Sequence, residues 1–180
     1  MLTIARAETE AQHQTIRALV AEYIAWDASE LRRLGLDARA AFDFYFASGE
    51  EAFPGEYASP QGCLLLASWS GEPAGCVAFR RLAARVCELK RLYVRPACRG
   101  KQIGRRLTSA LITAARNAGY SLMRLETVTF MGGAIALYSQ LGFRRCPPYY
   151  AALEIFREIS VFMELDLGQG AVNPDVAALA

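Results

Sequence analysis

The sequence predicts a single α/β domain in which helical and strand segments follow one another, and three observations carry that prediction. The chain has 180 residues, enough for one full hydrophobic core and too few for a second domain. Its apolar positions switch repeatedly between the spacing of an amphipathic helix and the alternation of a strand. Residues 63–94 read as three strands in succession joined by short links, a meander of antiparallel neighbours. The domain is expected to occupy residues 1–167, with residues 168–180 as a frayed tail.

Leu2, Ile4 and the alternation around them predict a short first strand. From about Glu8, apolar residues recur at Ile16, Leu19, Val20, Tyr23 and Ile24, the pattern of a helix with one buried face. His13, the lone histidine, sits on the polar start of that helix and is expected at the surface. A second helical stretch, residues 37–48, places Phe42, Tyr45 and Phe46 on one side, where they and Trp26 fit packing first and an acceptor pocket second. Gly49, Pro54, Gly55 and Pro60 make residues 49–61 a loop, a natural lid or substrate-facing segment.

Strands are then predicted over residues 63–69, 73–82 and 85–94, separated by the turn Ser70-Gly71-Glu72-Pro73 and the link Ala83-Ala84. After Pro96 the period changes, and Ile103, Leu107, Ala110, Leu111 and Ala114 predict a helix that ends at Gly119, a left-handed cap. Residues 122–127 form a further strand, residues 133–141 a short helix capped by Gly142, and residues 159–167 the last strand. The predicted order is β, α, α, β, β, β, α, β, α, β.

Composition narrows the function. An apolar fraction of 53% with 21% charged residues is too rich in core material for a disordered chain. Twenty basic and eighteen acidic residues give a net charge of +2, which argues against a protein that coats nucleic acid or an anionic membrane. Five cysteines with no C-x-x-C pair, beside a single histidine, disfavour zinc sites, a disulfide scaffold and a His-based triad, so no metal is expected. The start MLTIARAETE lacks the basic and apolar pattern of a secretory signal, and no apolar run is long enough to span a membrane. A cytoplasmic, reduced protein is the expectation, with Cys87 and Cys98 as small filler residues.

The chemistry concentrates in residues 88–107, ELKRLYVRPACRGKQIGRRL. A strand runs into a turn with Pro96 and Gly100, and the turn opens directly into a helix. Helix starts present unpaired backbone amides and the positive end of the macrodipole. Arg95, Arg99, Lys101, Arg105 and Arg106 ring that end, so a polyanion is the expected ligand.

The run Arg99-Gly100-Lys101-Gln102-Ile103-Gly104 is neither a Walker A loop nor a Rossmann turn. It resembles the [RQ]-x-x-G-x-[GA] pyrophosphate loop of the GNAT superfamily of N-acetyltransferases, with Gln102 where the family usually has glycine. The block Ala136-Leu137-Tyr138-Ser139-Gln140-Leu141-Gly142-Phe143, beginning 32 residues after Gly104, is similar to that family's A-x-x-L-Y-x-x-x-G-F helix. The resemblance covers roughly residues 62–167 and implies a mixed, mostly antiparallel sheet with helices on both faces. It also implies acetyl-coenzyme A as co-substrate, its pyrophosphate over Arg99, Gly100, Lys101, Gln102, Ile103, Gly104 and Arg105 and its arm along the backbone of Leu92, Tyr93 and Val94.

Two proton-transfer roles follow from the same resemblance. Tyr138 matches the phenol that protonates the departing thiolate, with a core tyrosine as the other reading. Glu88, six residues before Val94, matches a glutamate general base, and the alternative is a strand residue paired with Arg80 or Arg91. The run Pro147-Pro148-Tyr149-Tyr150 reads either as part of an acceptor site or as a connector with packed rings. The implied activity is direct acetyl transfer to an amine, favouring a small-molecule or amino-acid-like acceptor. A protein lysine, a peptide N-terminus or a non-catalytic coenzyme A binding module are the alternatives, no nucleic acid or membrane partner is expected, and a homodimer stays open.

Overall fold

The order of strands along the chain is almost the order across the sheet. A computed structural model describes residues 1–39, 43, 53–151 and 154–168. Its strands are β1 (Leu2–Arg6), β2 (Cys63–Trp69), β3 (Glu72–Ala83), β4 (Val86–Val94), β5 (Leu122–Val128), β6 (Arg144–Arg145) and β7 (Ser160–Asp166). They form one sheet in the order β1-β2-β3-β4-β5-β7-β6, antiparallel throughout except where β4 meets β5. Helix α1 (Glu10–Arg33) follows β1, α2 (Ile103–Asn117) links the parallel pair, and α3 (Gly132–Gln140) follows β5.

The alternation of side chains along the inner strands creates two cores. On β2, Cys63, Leu65 and Ala67 face one side and Leu64 and Leu66 the other; on β3, Val77 and Phe79 oppose Cys76 and Ala78. The first side receives α2 through Ile103, Leu107, Leu111 and Ala115, a stripe repeating every four residues that is wholly buried. The second receives α1 through Ile16, Leu19 and Val20. Helices therefore cover both faces, and burial of each such aliphatic side chain contributes on the order of 1.5–3 kcal/mol.

Most elements lie within a residue or two of their predicted limits. The turn after β2 is shorter than the sequence suggested, because Glu72 and Pro73 already pair with β2. Gly119, at φ 84°, and Gly142, at φ 94°, take the left-handed conformations expected of them. Strand β6 was not predicted. Helix α1 begins at Glu10, where the Thr9 hydroxyl accepts from the Gln12 amide and the Gln12 side chain accepts from the Thr9 amide.

His13 departs from the surface position expected of it. It is buried, and its Nε2 lies 3.0 Å from the Ala7 carbonyl oxygen, because the capped first turn of α1 folds back over the end of β1. The described end of the predicted loop is also no open lid: Phe53 and Tyr57 stack with centroids 5.6 Å apart inside the α1-side core. Phe42, Tyr45 and Phe46, and the tail from residue 169, lie outside the described residues.

Candidate active site

The site arises where the sheet comes apart. β4 and β5 pair in parallel only over Val86–Glu88 and Leu122–Arg124. Beyond that point β4 keeps its pairing with β3 alone, and β5 keeps its pairing with β7. A bulge lies just beyond that point. β3 offers Val77 alone opposite Arg91 and Leu92, and Arg91 takes a left-handed φ of 59° to accommodate the extra residue. Gly75 permits the close approach this requires, since a Cβ there would run into the Tyr93 carbonyl oxygen.

The bulge also exchanges the two faces of β4. Cys87 and Leu89 point to the α2-side core, and strict alternation would send Tyr93 there too. Instead Leu92 and Val94 pack on that side, while Tyr93 joins the α1-side core. A cleft opens between the diverging strands, lined by Leu89–Leu92 of β4 and Glu126–Val128 of β5. Tyr23, Asp27 and Leu31, spaced four residues apart on one face of α1, close one wall, and Ala134 and Tyr138 of α3 another.

The basic loop lies at the end of β4. After one 3-10 turn over Pro96–Cys98, Gly100 has φ 77° and Gln102 has φ 58°, and α2 starts at Ile103 without a side-chain cap. The first amides of α2 therefore keep their donors for a ligand. Arg99 and Lys101 are exposed there, with the Arg99 guanidinium 5.8 Å from the Trp26 ring and the Lys101 ammonium 5.0 Å from the Trp69 ring. Arg105 reaches Gln140 at 3.3 Å, tying α2 to α3. Arg95 points elsewhere, into an ion pair with Glu22 at 2.6 Å. Bare amides and two exposed cations that no carboxylate pairs among the described residues suit a pyrophosphate, and a β4 edge without a strand partner suits an extended amide-bearing arm.

Glu88 and Tyr138 sit in contrasting surroundings. The Glu88 carboxylate is completely buried, with Arg80 at 2.8 Å, Lys90 Nζ at 3.1 Å and the Tyr149 hydroxyl donating at 2.8 Å. Burial alone would raise its pKa, yet the charges of Lys90 and Arg80 and the Tyr149 hydrogen bond hold it below the ordinary carboxylate value. The pairing with Arg80 is thus present, and Glu88 lies outside the lining of the cleft. Tyr138 is on the lining, 5% exposed, its ring 5.6 Å from Phe143, and burial pushes its pKa up.

Tyr149 and Tyr150 belong to a packed connector. They stand edge to face with each other and with Phe162, at centroid distances of 5.2–5.3 Å. Their hydroxyls donate to Glu88 and Glu126, so one short loop fixes a carboxylate on β4 and another on β5. Asp27, Glu126 and Lys90 were not singled out in the sequence. The only signal for Asp27 was its place between Tyr23 and Leu31 on one helical face, and nothing local marked Glu126.

A strand pair that splays beside a helix-start anion loop is the architecture of acyl-coenzyme A N-acyltransferases. Residues 17–143 match the model of the acetyltransferase (GNAT) family, and the chain belongs to that family. It is 39% identical over 97 residues to an uncharacterised N-acetyltransferase of Schizosaccharomyces pombe, covering 53% of this chain and 60% of that protein. An IAA acetyltransferase of Azospirillum brasilense is 40% identical over 93 residues, covering 51% of this chain and 61% of its own. The chain thus spans about three fifths of the length of these curated relatives. Among solved structures, a candidate acyl-CoA N-acyltransferase from Klebsiella pneumoniae superposes with a TM-score of 0.69 at 28% identity, over 93% of this chain and 98% of that one. The Salmonella typhimurium protein yncA, solved with its cofactor acetyl-CoA, shares the fold with a TM-score of 0.63 at 22% identity, over 95% and 96% of the two chains.

Proposed function

We propose that the protein transfers the acetyl group of acetyl-coenzyme A to an amine by direct attack in a ternary complex. The observation that carries this reading is that β4, unpaired with β5 beyond Glu88, lines the cleft shared with Tyr138 and leads along the chain into the basic loop at residues 99–104. Arg99, Lys101 and the first amides of α2 would hold the pyrophosphate, and the backbone of Leu92, Tyr93 and Val94 the arm. When bound, acetyl-coenzyme A supplies an activated thioester. The Leu92 amide serves as hydrogen-bond donor to its carbonyl oxygen as negative charge grows there.

Proton traffic divides between two kinds of group. Tyr138 keeps its proton at every pH near neutrality, because burial has raised its pKa, and it is the donor to the departing sulfur. The acceptor amine must lose a proton, since an ammonium with a pKa of about 10 is almost fully charged at neutral pH. Glu88, held ionised by Arg80 and Lys90, is a weak proton acceptor. Asp27 and Glu126 line the cleft itself and are better placed for that task.

The test begins with the anion loop. Arg99→Ala with Lys101→Ala should weaken acetyl-coenzyme A binding at least about tenfold, the equivalent of one charge-assisted hydrogen bond of ~1.5 kcal/mol, and flatten its salt dependence. Unchanged affinity by calorimetry would remove the loop from the binding site. Mass spectrometry of a panel of amines incubated with enzyme and acetyl-coenzyme A checks the transfer itself. Failure to acetylate any of them would reduce the protein to a binding module.

A further inference from the structure

The α1 wall of the cleft carries a charged group that no neighbour among the described residues satisfies. Asp27 is half-buried, lines the cleft, and makes no hydrogen bond or ion pair among the described residues. Its only perturbation is desolvation, which raises its pKa to about 6. Leaving a carboxylate partly desolvated without a partner costs stability.

A second group in the same cleft is also left without a partner. Tyr138 is 5% exposed, lines the cleft from α3, and its hydroxyl forms no hydrogen bond among the described residues. Tyr23 lines the same cleft, and its pKa is raised by burial first and then by the nearness of Asp27 and Tyr138. A hydroxyl and a half-buried carboxylate on the lining of one cavity, neither hydrogen-bonded among the described residues, describe a place where a polar ligand group completes the structure.

The other charges around the cleft are engaged. From β4, the Lys90 ammonium lies 3.1 Å from Glu88, and Arg91 has partners of its own. From β5, the Glu126 carboxylate accepts from the Tyr150 and Ser160 hydroxyls. Tyr23 and Tyr138 are phenols with raised pKa values and stay neutral. Asp27 is thus the lining carboxylate whose charge is met by no partner. Beyond it the wall is apolar: Leu31, Phe130 and Phe156 form a cluster of their own, and Met131 adjoins them on the lining.

Resting on the acetyltransferase reading, we propose that Asp27 receives the ammonium of a primary amine carried on an apolar or aromatic body, and takes up the proton that the amine loses before attack. The body lies against Leu31, Phe130 and Phe156, and the nitrogen lies beside Asp27, facing Tyr138. Asp27 first takes one proton from the ammonium; the nitrogen lone pair then forms the bond to the acetyl carbon, the carbon–sulfur bond breaks, Tyr138 supplies its proton to the sulfur, and the second proton that the nitrogen sheds passes to the Tyr138 phenolate. Regeneration then only releases the Asp27 proton to solvent, the one proton that transfer to an ammonium sets free. A carboxylate with a pKa near 6 accepts a proton far more readily than one held at the bottom of the carboxylate range, and it loses both roles when protonated.

The experiment uses 2-phenylethylamine and its neutral isostere 2-phenylethanol as probes, titrated calorimetrically into the full chain with coenzyme A present. The amine should bind and the alcohol should bind weakly. Asp27→Asn should lower amine affinity at least tenfold while leaving the alcohol unchanged, and it should fold normally because Asp27 has no partner to lose. Wild-type amine affinity should fall as pH drops through about 6, and the Asp27→Asn variant should show no such step. Equal amine affinity in the variant, an amine that does not bind the wild type, or an alcohol that binds as well as the amine overturns the proposal. Transfer to amines that is insensitive to Asp27→Asn would sink this inference and leave the acetyltransferase reading standing. Asp27-dependent amine binding without transfer would do the reverse.

Discussion

Asp27 lines the cleft and Glu88 lies on β4 outside its lining, and the surroundings of the two carboxylates differ in every respect that governs a carboxylate. Glu88 is on a central strand, fully buried, and answered by Arg80, Lys90 and Tyr149. Asp27 is on a helix, half-buried and unanswered among the described residues. The first environment lowers the pKa and the second raises it to about 6. Burial by itself therefore does not identify a functional acid or base. A buried carboxylate whose charge is balanced holds the fold together, whereas a less buried one without a partner is poised to exchange protons.

The largest expected effect comes from breaking the satisfied member. Glu88→Gln leaves Lys90 without its anion and Arg80 with Glu56 alone, and should cost roughly 1–3 kcal/mol of stability, as a buried polar group that loses its partner does. Denaturant unfolding at neutral pH measures it. The sign follows from the lowered pKa: Glu88 contributes its full stabilisation above the ordinary value of 4.5, and loses it as pH falls through the folded-state value. The gap between wild type and Glu88→Gln should therefore close in acid. Asp27→Asn should move stability the other way at neutral pH, because it removes a charge whose folded pKa, about 6, lies above its unfolded 3.8. Two substitutions with the same sign would erase the distinction.

The next effect is on turnover alone. Tyr138→Phe keeps the ring against Phe143 and deletes only the hydroxyl, so stability should change little. If the hydroxyl protonates the leaving sulfur, turnover should fall by about 10²-fold, within the range of positioned acids. High pH should not rescue it, since sulfur is then harder to protonate. Stopped-flow or coupled assays from pH 6 to 10 check both points, and a fully active variant would return Tyr138 to the core.

Much of this was legible in the sequence, and the reason lies in the range of the interactions. The helix start at residues 99–104 and the Tyr138 helix depend on residues adjacent in the chain, so residue type and spacing disclose them. The bulge at Arg91 was hidden, because a non-glycine residue at φ 59° leaves no compositional mark. So was the fate of Glu88: its partners come from β3, from β4 itself and from the loop after β6, and only the fold assembles them. Strand β6, two residues long, has no periodicity to detect. His13 misled because a polar helix start is ordinarily solvated, and here the capping box turns it inward.

The smallest effect tests the far end of the cleft, where neither carboxylate acts. Gln102 stands where a glycine is usual, and it holds φ 58° and ψ 17°, a left-handed conformation that costs a non-glycine residue on the order of 1 kcal/mol or more. Gln102→Gly removes that strain, and a glycine at this helix-cap position gives up no side-chain cap, since the glutamine provides none. The offsetting term is the greater freedom of glycine in the unfolded chain, up to about 1 kcal/mol. Net stability should thus stay within about 1 kcal/mol of wild type. Acetyl-coenzyme A should bind more tightly, because the backbone can approach a pyrophosphate without a Cβ in the way. The pH profile of transfer should not change at all, since Asp27 and Tyr138 are untouched. Calorimetry against acetyl-coenzyme A measures the first quantity and a turnover profile the second. Weaker binding in Gln102→Gly would mean that the glutamine side chain itself contributes to holding the anion, and a shifted pH profile would mean that the loop and the proton-transfer groups are coupled through β4.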